Sequence, residues 1–269
     1  MIKNGAVIFF SGTGNTRYIA RLFKERFKNE GVNIDLIDIQ KHEKLNKEYD
    51  LYIIGTPIHV DMPVKILVDW IKENIPEGNS KCIVYHTLAN DNYISNKTGL
   101  AKIMKNKGYN VVINEYIGMP NNYYHTFFKS DSDEVIKEKL ESAPSRVSKI
   151  VNDFYSENRA EIEYKKDSIA IKLVYDGFLL YSKKYPKRNF SVYASKCINC
   201  KICEDECPTK NISMDNKKIT FFNKCIGCEK CIHRCPTNAI LYKNKPFKTY
   251  KIEKYLKNNI NEEKDTLRF

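Results

Sequence analysis

Eight of the nine cysteines in this 269-residue chain fall between Cys197 and Pro236, in two copies of one spacing. Cys197, Cys200, Cys203 and Cys207 precede Pro208, and Cys225, Cys228, Cys231 and Cys235 precede Pro236. Each copy reads C-x2-C-x2-C-x3-C-P, and the chemistry that suits it is thiolate ligation of a metal–sulfide cube. Thiolates two residues apart on a tight loop reach three corners of one cube, whereas a fourth, displaced by three residues and stopped by proline, points elsewhere. Two other chemistries also gather cysteines. Disulfides need an oxidising compartment, and the opening residues Met1 to Gly5 run into an apolar stretch with no room for a targeting peptide, so a reducing compartment is the expectation. Zinc sites usually pair two C-x2-4-C knuckles across a longer gap, which three short steps ending in Cys-Pro fit poorly. Between the runs, Ile212 and Ile219 to Phe222 flank Met214 to Lys218, which reads as a short hairpin joining two copies of one unit. The ninth cysteine, Cys82, lies in an apolar run and reads as a small core residue.

On these two runs the region resembles the bacterial two-cluster ferredoxins. The resemblance implies two 4Fe-4S clusters, with the fourth cysteine of each run ligating the other cluster. Cys197, Cys200, Cys203 and Cys235 would then hold one cluster, and Cys225, Cys228, Cys231 and Cys207 the second.

A second chemical signature stands at the other end of the chain. Ala6 to Phe10 form a continuous apolar run of strand length, Ser11-Gly12-Thr13-Gly14-Asn15-Thr16 follows, and Tyr18, Ile19, Leu22, Phe23 and Phe27 then recur at helical spacing. A strand, a glycine and hydroxyl loop and a helix in that order make an anion site, because the helix N-terminus presents unpaired N–H groups and a positive dipole end. A Walker loop would need Gly-Lys-Ser/Thr at its end, and a dinucleotide fingerprint a third glycine where Arg17 stands. Ser11, Thr13 and Thr16 offer three hydroxyls, which suits a terminal phosphomonoester.

Ser11 to Thr16 is similar at every defined position to the FMN phosphate loop of flavodoxins, Ser/Thr-x-Thr-Gly-x-Thr. Further elements continue the likeness: a second strand over Val32 to Ile39, a third from Leu51 into Thr56 and Pro57, a helix from about Val64 to Ile75, a fourth strand over Lys81 to His86, a fifth over Asn110 to Tyr116, and a closing helix from Asp133 to Tyr155. The resemblance implies a doubly wound five-stranded parallel sheet of order 2-1-3-4-5, with the ligand at the carboxyl ends of the strands. It places the flavin ring against Thr56, Pro57, Ile58 and His59 after the third strand, Thr87, Leu88, Ala89, Asn90 and Tyr93 after the fourth, and Asn121, Asn122 and Tyr123 after the fifth. Many flavodoxins flank the ring with Trp and Tyr, but the sole tryptophan here is Trp70, on the helix after the third strand. Tyr93, Tyr123, Tyr124 and His59 are the stacking candidates.

The composition is that of an ordinary soluble protein, 42% hydrophobic and 29% charged, and no run of eighteen apolar residues supports a membrane span. The net charge of +12 is uneven: residues 1–160 carry 22 Lys and Arg against 20 Asp and Glu, and residues 161–269 carry 23 against 13. Thiolate-ligated clusters and a flavin phosphate would cut the total to about +6. No basic motif interleaved with aromatics and no recognition module accompanies the charge, which argues against nucleic acid and for partners with acidic docking surfaces. Residues 158–190 carry Ile169, Leu173, Val174, Phe178 and Tyr181 at approximate helical spacing between lysine-rich ends. A membrane-surface helix is one reading of that pattern, and packing between domains the commoner one.

Taken whole, the chain resembles the flavodoxin–ferredoxin fusion proteins of anaerobes. The expected organisation is α/β with a small α+β domain: a flavodoxin-like domain over 1–157, a linker with an amphipathic helix over 158–190, a two-cluster ferredoxin domain over 191–245 and a tail over 246–269. The implied function is electron transfer in the cytoplasm between FMN, two 4Fe-4S clusters and external redox proteins, since FMN takes electrons singly or in pairs and each cluster takes one. An alternative is a flavin-dependent reductase of a quinone-like or porphyrin-like acceptor, with His59, His86 or His125 as proton donor. A redox sensor acting on nucleic acid is a third class, and the absence of a helix-turn-helix pattern counts against it.

Overall fold

In an all-parallel sheet the inner strands are covered on both faces, so they are apolar throughout rather than alternating. In the computed structural model Asn4–Phe9 (β1) and Leu51–His59 (β3) behave this way, with Ala6 to Phe9 and Leu51 to Ile54 buried. The structure describes residues 2–256 apart from 43, 46, 91–98, 125–127, 157, 158, 160, 163 and 165–167. Asn33–Asp38 (β2), Lys81–Leu88 (β5) and Asn110–Gly118 (β6) complete the main sheet, in the order β2-β1-β3-β5-β6 with every pair parallel. This is the doubly wound order expected from the sequence, with β5 and β6 as its fourth and fifth strands.

Asn15–Asn29 (α1) buries Ile19, Ala20, Phe23 and Phe27, one stripe at helical spacing. Lys65–Asn74 (α2), Gly99–Asn106 (α3) and Asp133–Tyr155 (α4) are further helices, and α4 buries Ile136, Leu140, Val147, Val151 and Phe154. Cys82 is fully buried on β5, as a core residue.

The strands run further than the hydropathy pattern suggests. Thr56 to His59, expected in a loop, are the end of β3: Thr56 and Pro57 pair with His86 and Thr87, and a turn at Val60 and Asp61 folds the chain back so that Ile58 and His59 face Pro63 and Met62 of a short strand, Met62–Pro63 (β4). Both turn residues have positive φ, 46° and 60°, the primed-turn geometry that matches the twist of a hairpin. Thr87 and Leu88 likewise belong to β5, because they pair with Ile117 and Gly118.

Two compact units emerge, Met1–Pro120 with Asp133–Tyr175, and Asn121–Ser132 with Asp176–Phe269. The expected helix of the 158–190 segment is Ile169–Asn189 (α5). Of its apolar stripe, Ile169, Leu173, Val174 and Tyr181 are exposed and Phe178 is partly buried, while Tyr175, Ser182, Tyr185 and Pro186 are buried. In the first unit, the Tyr175 hydroxyl accepts from the Lys65 N–H at 3.0 Å and donates to the Pro63 carbonyl at 3.2 Å.

The second unit contains an internal repeat. Phe190–Val192 (β7) pairs antiparallel with Ile240–Tyr242 (β10), and Ile212–Asp215 (β8) pairs antiparallel with Lys218–Phe221 (β9). The β8–β9 pair is the expected hairpin, turned at Asn216 and Lys217 with φ of 44° and 65°. Each cysteine run lies between a strand of one pair and a strand of the other, and two short helices, Ile202–Asp205 (α6) and Lys230–Arg234 (α7), occupy matching places. In the tail, Glu253–Leu256 (α8) is a short helix.

Candidate functional site

At the carboxyl end of β1 the chain turns directly into α1. Gly14 takes φ 108° and ψ −22° to make that turn, a conformation open to glycine and strained for other residues. Ser11 Oγ lies inside the loop and accepts from the backbone N–H of Gly14 at 3.2 Å and of Arg17 at 3.3 Å. Thr16 Oγ1 lies 2.8 Å from Thr87 Oγ1, tying the loop to the end of β5, and Asn15 Nδ2 donates to the Pro120 carbonyl at 2.9 Å, tying it to the end of β6. From below, the Tyr85 hydroxyl donates to the Thr16 carbonyl at 3.0 Å. Arg17 turns away from the loop into a buried ion pair with Asp38, 2.7 Å, and Gln40 Nε2 donates to the Ser11 carbonyl at 3.1 Å. Ser11, Thr13, Asn15 and Thr16 are all buried. A buried loop of hydroxyls and amides wrapped around a helix N-terminus has the chemistry of a phosphate cradle.

Around it, Thr56 is buried and its hydroxyl donates to the Pro57 carbonyl at 2.9 Å and accepts from the Val64 N–H at 3.2 Å. Burial lowers the His59 pKa to about 4, so the ring is neutral near pH 7. His86 is buried, with Nε2 2.9 Å from Asn114 Oδ1 and its ring stacked on Tyr116 at 4.7 Å. Of the other expected ring contacts, Ala89 O accepts from Lys139 Nζ at 2.8 Å, and Tyr93 lies outside the described residues, as does His125. Asn121, Asn122 and Tyr123 belong to the second unit: Asn121 N–H donates to Asp131 at 2.8 Å, and Tyr123 lines a cavity among the cysteines. Trp70 donates from Nε1 to the His42 carbonyl at 3.1 Å.

The cysteine runs repeat each other in backbone as well as in spacing. Lys201 and Glu229 precede α6 and α7 with φ of 58° and 60°, and Lys210 and Asn238 follow with 49° and 51°. Cys207 Sγ accepts from the Asn211 N–H at 3.2 Å, and Cys235 Sγ accepts from the Ala239 N–H at the same distance. Such N–H donors to sulfur are among the determinants of an iron–sulfur potential.

The thiols group across the repeat. Cys207, Cys225, Cys228 and Cys231 line one cavity together with Ile212, Phe221 and Pro208. Burial pushes the Cys225 and Cys228 thiols up to about 12 and raises Cys231 further, and Cys207 acts on all three as a charged neighbour. Cys203 is pushed up to about 11, again by burial first, and its charged neighbours are Cys235 and Cys200. Buried thiols that cannot ionise alone become thiolates when iron supplies the opposing charge, so this donor set fits clusters. Among the described residues no three His, Cys, Asp or Glu side chains converge on a single-ion position. A cube takes its thiolates at separate corners around a volume.

Two features of this unit were not singled out in the sequence. Glu206 and Arg234 stand immediately before Cys207 and Cys235, equivalent places in the repeat with opposite charges, and they bond at 3.3 Å and 3.4 Å. Lys230 lies 3.5 Å from Glu206, and Arg234 also reaches Glu253 at 2.8 Å. Burial works against the Glu206 carboxylate, yet the bonds and charges from Arg234 and Lys230 hold its pKa below the ordinary value. The opposite charges at matching positions were a readable signal. His233 is the other feature: Nδ1 accepts from the Tyr250 N–H at 2.9 Å, leaving Nε2 to donate to the Asn122 carbonyl at 2.8 Å. No sequence pattern marks that role.

Comparison with known proteins bears on both sites. A family model described as a flavodoxin domain matches residues 6–110, and one described as a 4Fe-4S dicluster domain matches residues 196–240. Among solved structures, a flavodoxin from the domain Archaea is 13% identical, covering 55% of this chain and 99% of its own at a TM-score of 0.37. A short-chain flavodoxin associated with a non-canonical PDU bacterial microcompartment is 11% identical, with 56% and 98% covered and a TM-score of 0.38. A variant flavodoxin of Fusobacterium nucleatum bound to flavin mononucleotide is 14% identical, with 56% and 95% covered and a TM-score of 0.39. No curated protein matches the chain.

Proposed function

We propose that this chain, matched by a flavodoxin-domain model over residues 6–110 and a 4Fe-4S dicluster model over residues 196–240, is a flavodoxin–ferredoxin fusion that links FMN, anchored by Ser11 to Thr16, and two 4Fe-4S clusters to external redox proteins. Bound together, these groups supply an exchange between two-electron and one-electron chemistry. The chain's own residues bind and insulate. In this reading Ser11, Gly12, Thr13, Gly14, Asn15 and Thr16 hold the phosphate, and Thr56 to His59 with Thr87 to Asn90 border the ring at the ends of β3 and β5. Cys197, Cys200, Cys203 and Cys235 hold one cluster, and Cys225, Cys228, Cys231 and Cys207 the other.

The observation that carries the reading is the single cavity lined by three cysteines of the second run and the fourth cysteine of the first. Crossed ligation between two runs is what a dicluster ferredoxin needs and what two separate zinc knuckles do not.

The reductase alternative has less behind it. His86 is buried, with Nε2 2.9 Å from Asn114 Oδ1 and its ring stacked on Tyr116, so it offers no proton at an exposed edge. No described helix is long and apolar enough to cross a membrane. Anaerobic purification with iron, sulfide and flavin quantified tests the proposal: about eight irons and one FMN per chain are expected. Zinc without sulfide refutes it, and steady turnover of an organic acceptor would favour the reductase instead.

A further inference from the structure

Within the second unit, the two halves of the cysteine repeat match in spacing and backbone but not in cover. In the first run Ile198, Asn199, Cys200 and Lys201 are all exposed, Ile198 to 62%. Their counterparts Ile226, Gly227 and Cys228 are partly shielded, and Glu229 is buried at 7%. The difference has a visible cause. A Cβ added at Gly227 would lie 2.9 Å from Phe178 Cζ and 3.1 Å from Ser182 Oγ, so α5 packs directly on the second loop. Ser182, Tyr185 and Pro186 of the same helix, with Tyr123, also line the cavity of Cys207, Cys225, Cys228 and Cys231. At the matching place in the first run stands Asn199, with φ 57° and an exposed side chain. Glycine is present where the helix lands, and a bulkier residue where the side chain is exposed.

Resting on the flavodoxin–ferredoxin reading above, we propose that α5 is a roof over one of the two cysteine loops, and that external redox proteins dock at the open one, Tyr193 to Lys201. The occupant is a one-electron redox protein with carboxylates at its docking rim. Within Tyr193 to Lys201 the charges are Lys196 and Lys201, with no acid, and the exposed Tyr193 and Ile198 supply apolar contact. Lys196 Nζ sits 5.8 Å from the Tyr193 ring centroid, which holds a cation beside that contact. A partner here meets Cys200 at the surface, whereas at the second loop it would first meet Phe178 and Ser182. The direction of exchange does not enter: a donor loses one electron and the chain gains it, or the reverse.

The test uses the holoprotein with iron and sulfide quantified. It is treated anaerobically with 1,10-phenanthroline and iodoacetamide, and each cysteine's alkylation is followed by mass spectrometry. Cys200, exposed on the open loop, is expected to label about tenfold faster than its counterpart Cys228, because accessibility governs thiol attack. Phe178→Ala is expected to narrow that ratio several-fold by opening the roof, leaving Cys200 unchanged. Equal labelling of Cys200 and Cys228 in the parent protein, or faster labelling of Cys228, would overturn the inference while leaving the fusion reading intact. Protection of Cys200 that grows with protein concentration would overturn it too, since a second copy would then occupy the loop. Absence of iron and sulfide at the outset refutes the cluster reading and this inference with it.

Discussion

Replacing Gly227 by alanine separates two costs that the structure places at one residue. The backbone there has φ 68°, and a side chain in that left-handed region costs about 1–2 kcal/mol. The new Cβ also falls 2.9 Å from Phe178 Cζ, and overpacking a filled site adds about 1–3 kcal/mol. Gly227→Ala is therefore expected to destabilise the cysteine unit by about 2–5 kcal/mol in the parent chain. With Phe178→Ala already present, the backbone cost of about 1–2 kcal/mol remains, together with the 3.1 Å approach to Ser182 Oγ. The assay is the rate of iron–sulfur bleaching in anaerobic guanidinium chloride for the parent, both single variants and the double variant, each tenfold in rate counting as about 1.4 kcal/mol. Two contacting residues should show a coupling of that size, whereas independent ones add. Asn199→Ala supplies the control, because the same backbone conformation there carries an exposed side chain. An identical effect of Gly227→Ala in both backgrounds refutes the packing of α5 on this loop.

Three further outcomes test the sites. Cys207→Ser is expected to lower iron from about eight to about four per chain by removing a ligand of the Cys225, Cys228 and Cys231 cluster. EPR that shows the loss in the Cys197-run cluster instead would refute the crossed arrangement. Ser11→Ala removes the acceptor of the Gly14 and Arg17 N–H groups, a loss of about 1–3 kcal/mol that should weaken flavin binding roughly tenfold to a hundredfold in a fluorescence titration. Unchanged affinity counts against the loop as the anchor. His59 has a native pKa of about 4 against 6.5 when unfolded, so the unfolded chain binds the extra proton between those values. Stability from this group is complete above pH 6.5 and falls toward pH 4 by up to about 1.4 kcal/mol per pH unit. His59→Gln should flatten that slope in urea melts of the first unit, and an unaltered slope would show that other groups produce it.

Much of the first unit was readable because a buried parallel strand leaves an unbroken apolar run, as in Ala6 to Phe10 and Leu51 to Ile54, and the run is self-punctuated by the glycine and hydroxyl loop. Strand ends were not readable. Pairing of Pro57 with Thr87 and of Leu88 with Gly118 depends on a backbone ladder that side-chain polarity does not encode, so β3 and β5 outlast their hydropathy. The segment after β6 carries the same difficulty in a stronger form. Asn122 and Tyr123 follow a sheet strand in sequence, but the Asn122 carbonyl accepts from His233, 111 residues on, and Tyr123 lines the cysteine cavity.

The repeat shows where periodicity stops being informative. Equal spacing of the cysteines implies two equal loops, and the backbone keeps that equality down to the αL residues and the N–H donors on Cys207 and Cys235. What breaks it is α5, only part of whose apolar stripe packs. Ile169, Leu173, Val174 and Tyr181 are exposed, and the positions that pack beside Phe178 are Tyr175, Ser182, Tyr185 and Pro186, residues a polarity count scores as mixed. Tyrosine and serine bury well when their hydroxyls find partners, as Tyr175 does on Pro63 and Lys65, so a helix face can be buried without being apolar. The one sequence trace of that packing is negative: glycine at 227 against asparagine at 199, a missing side chain that marks where another element lands.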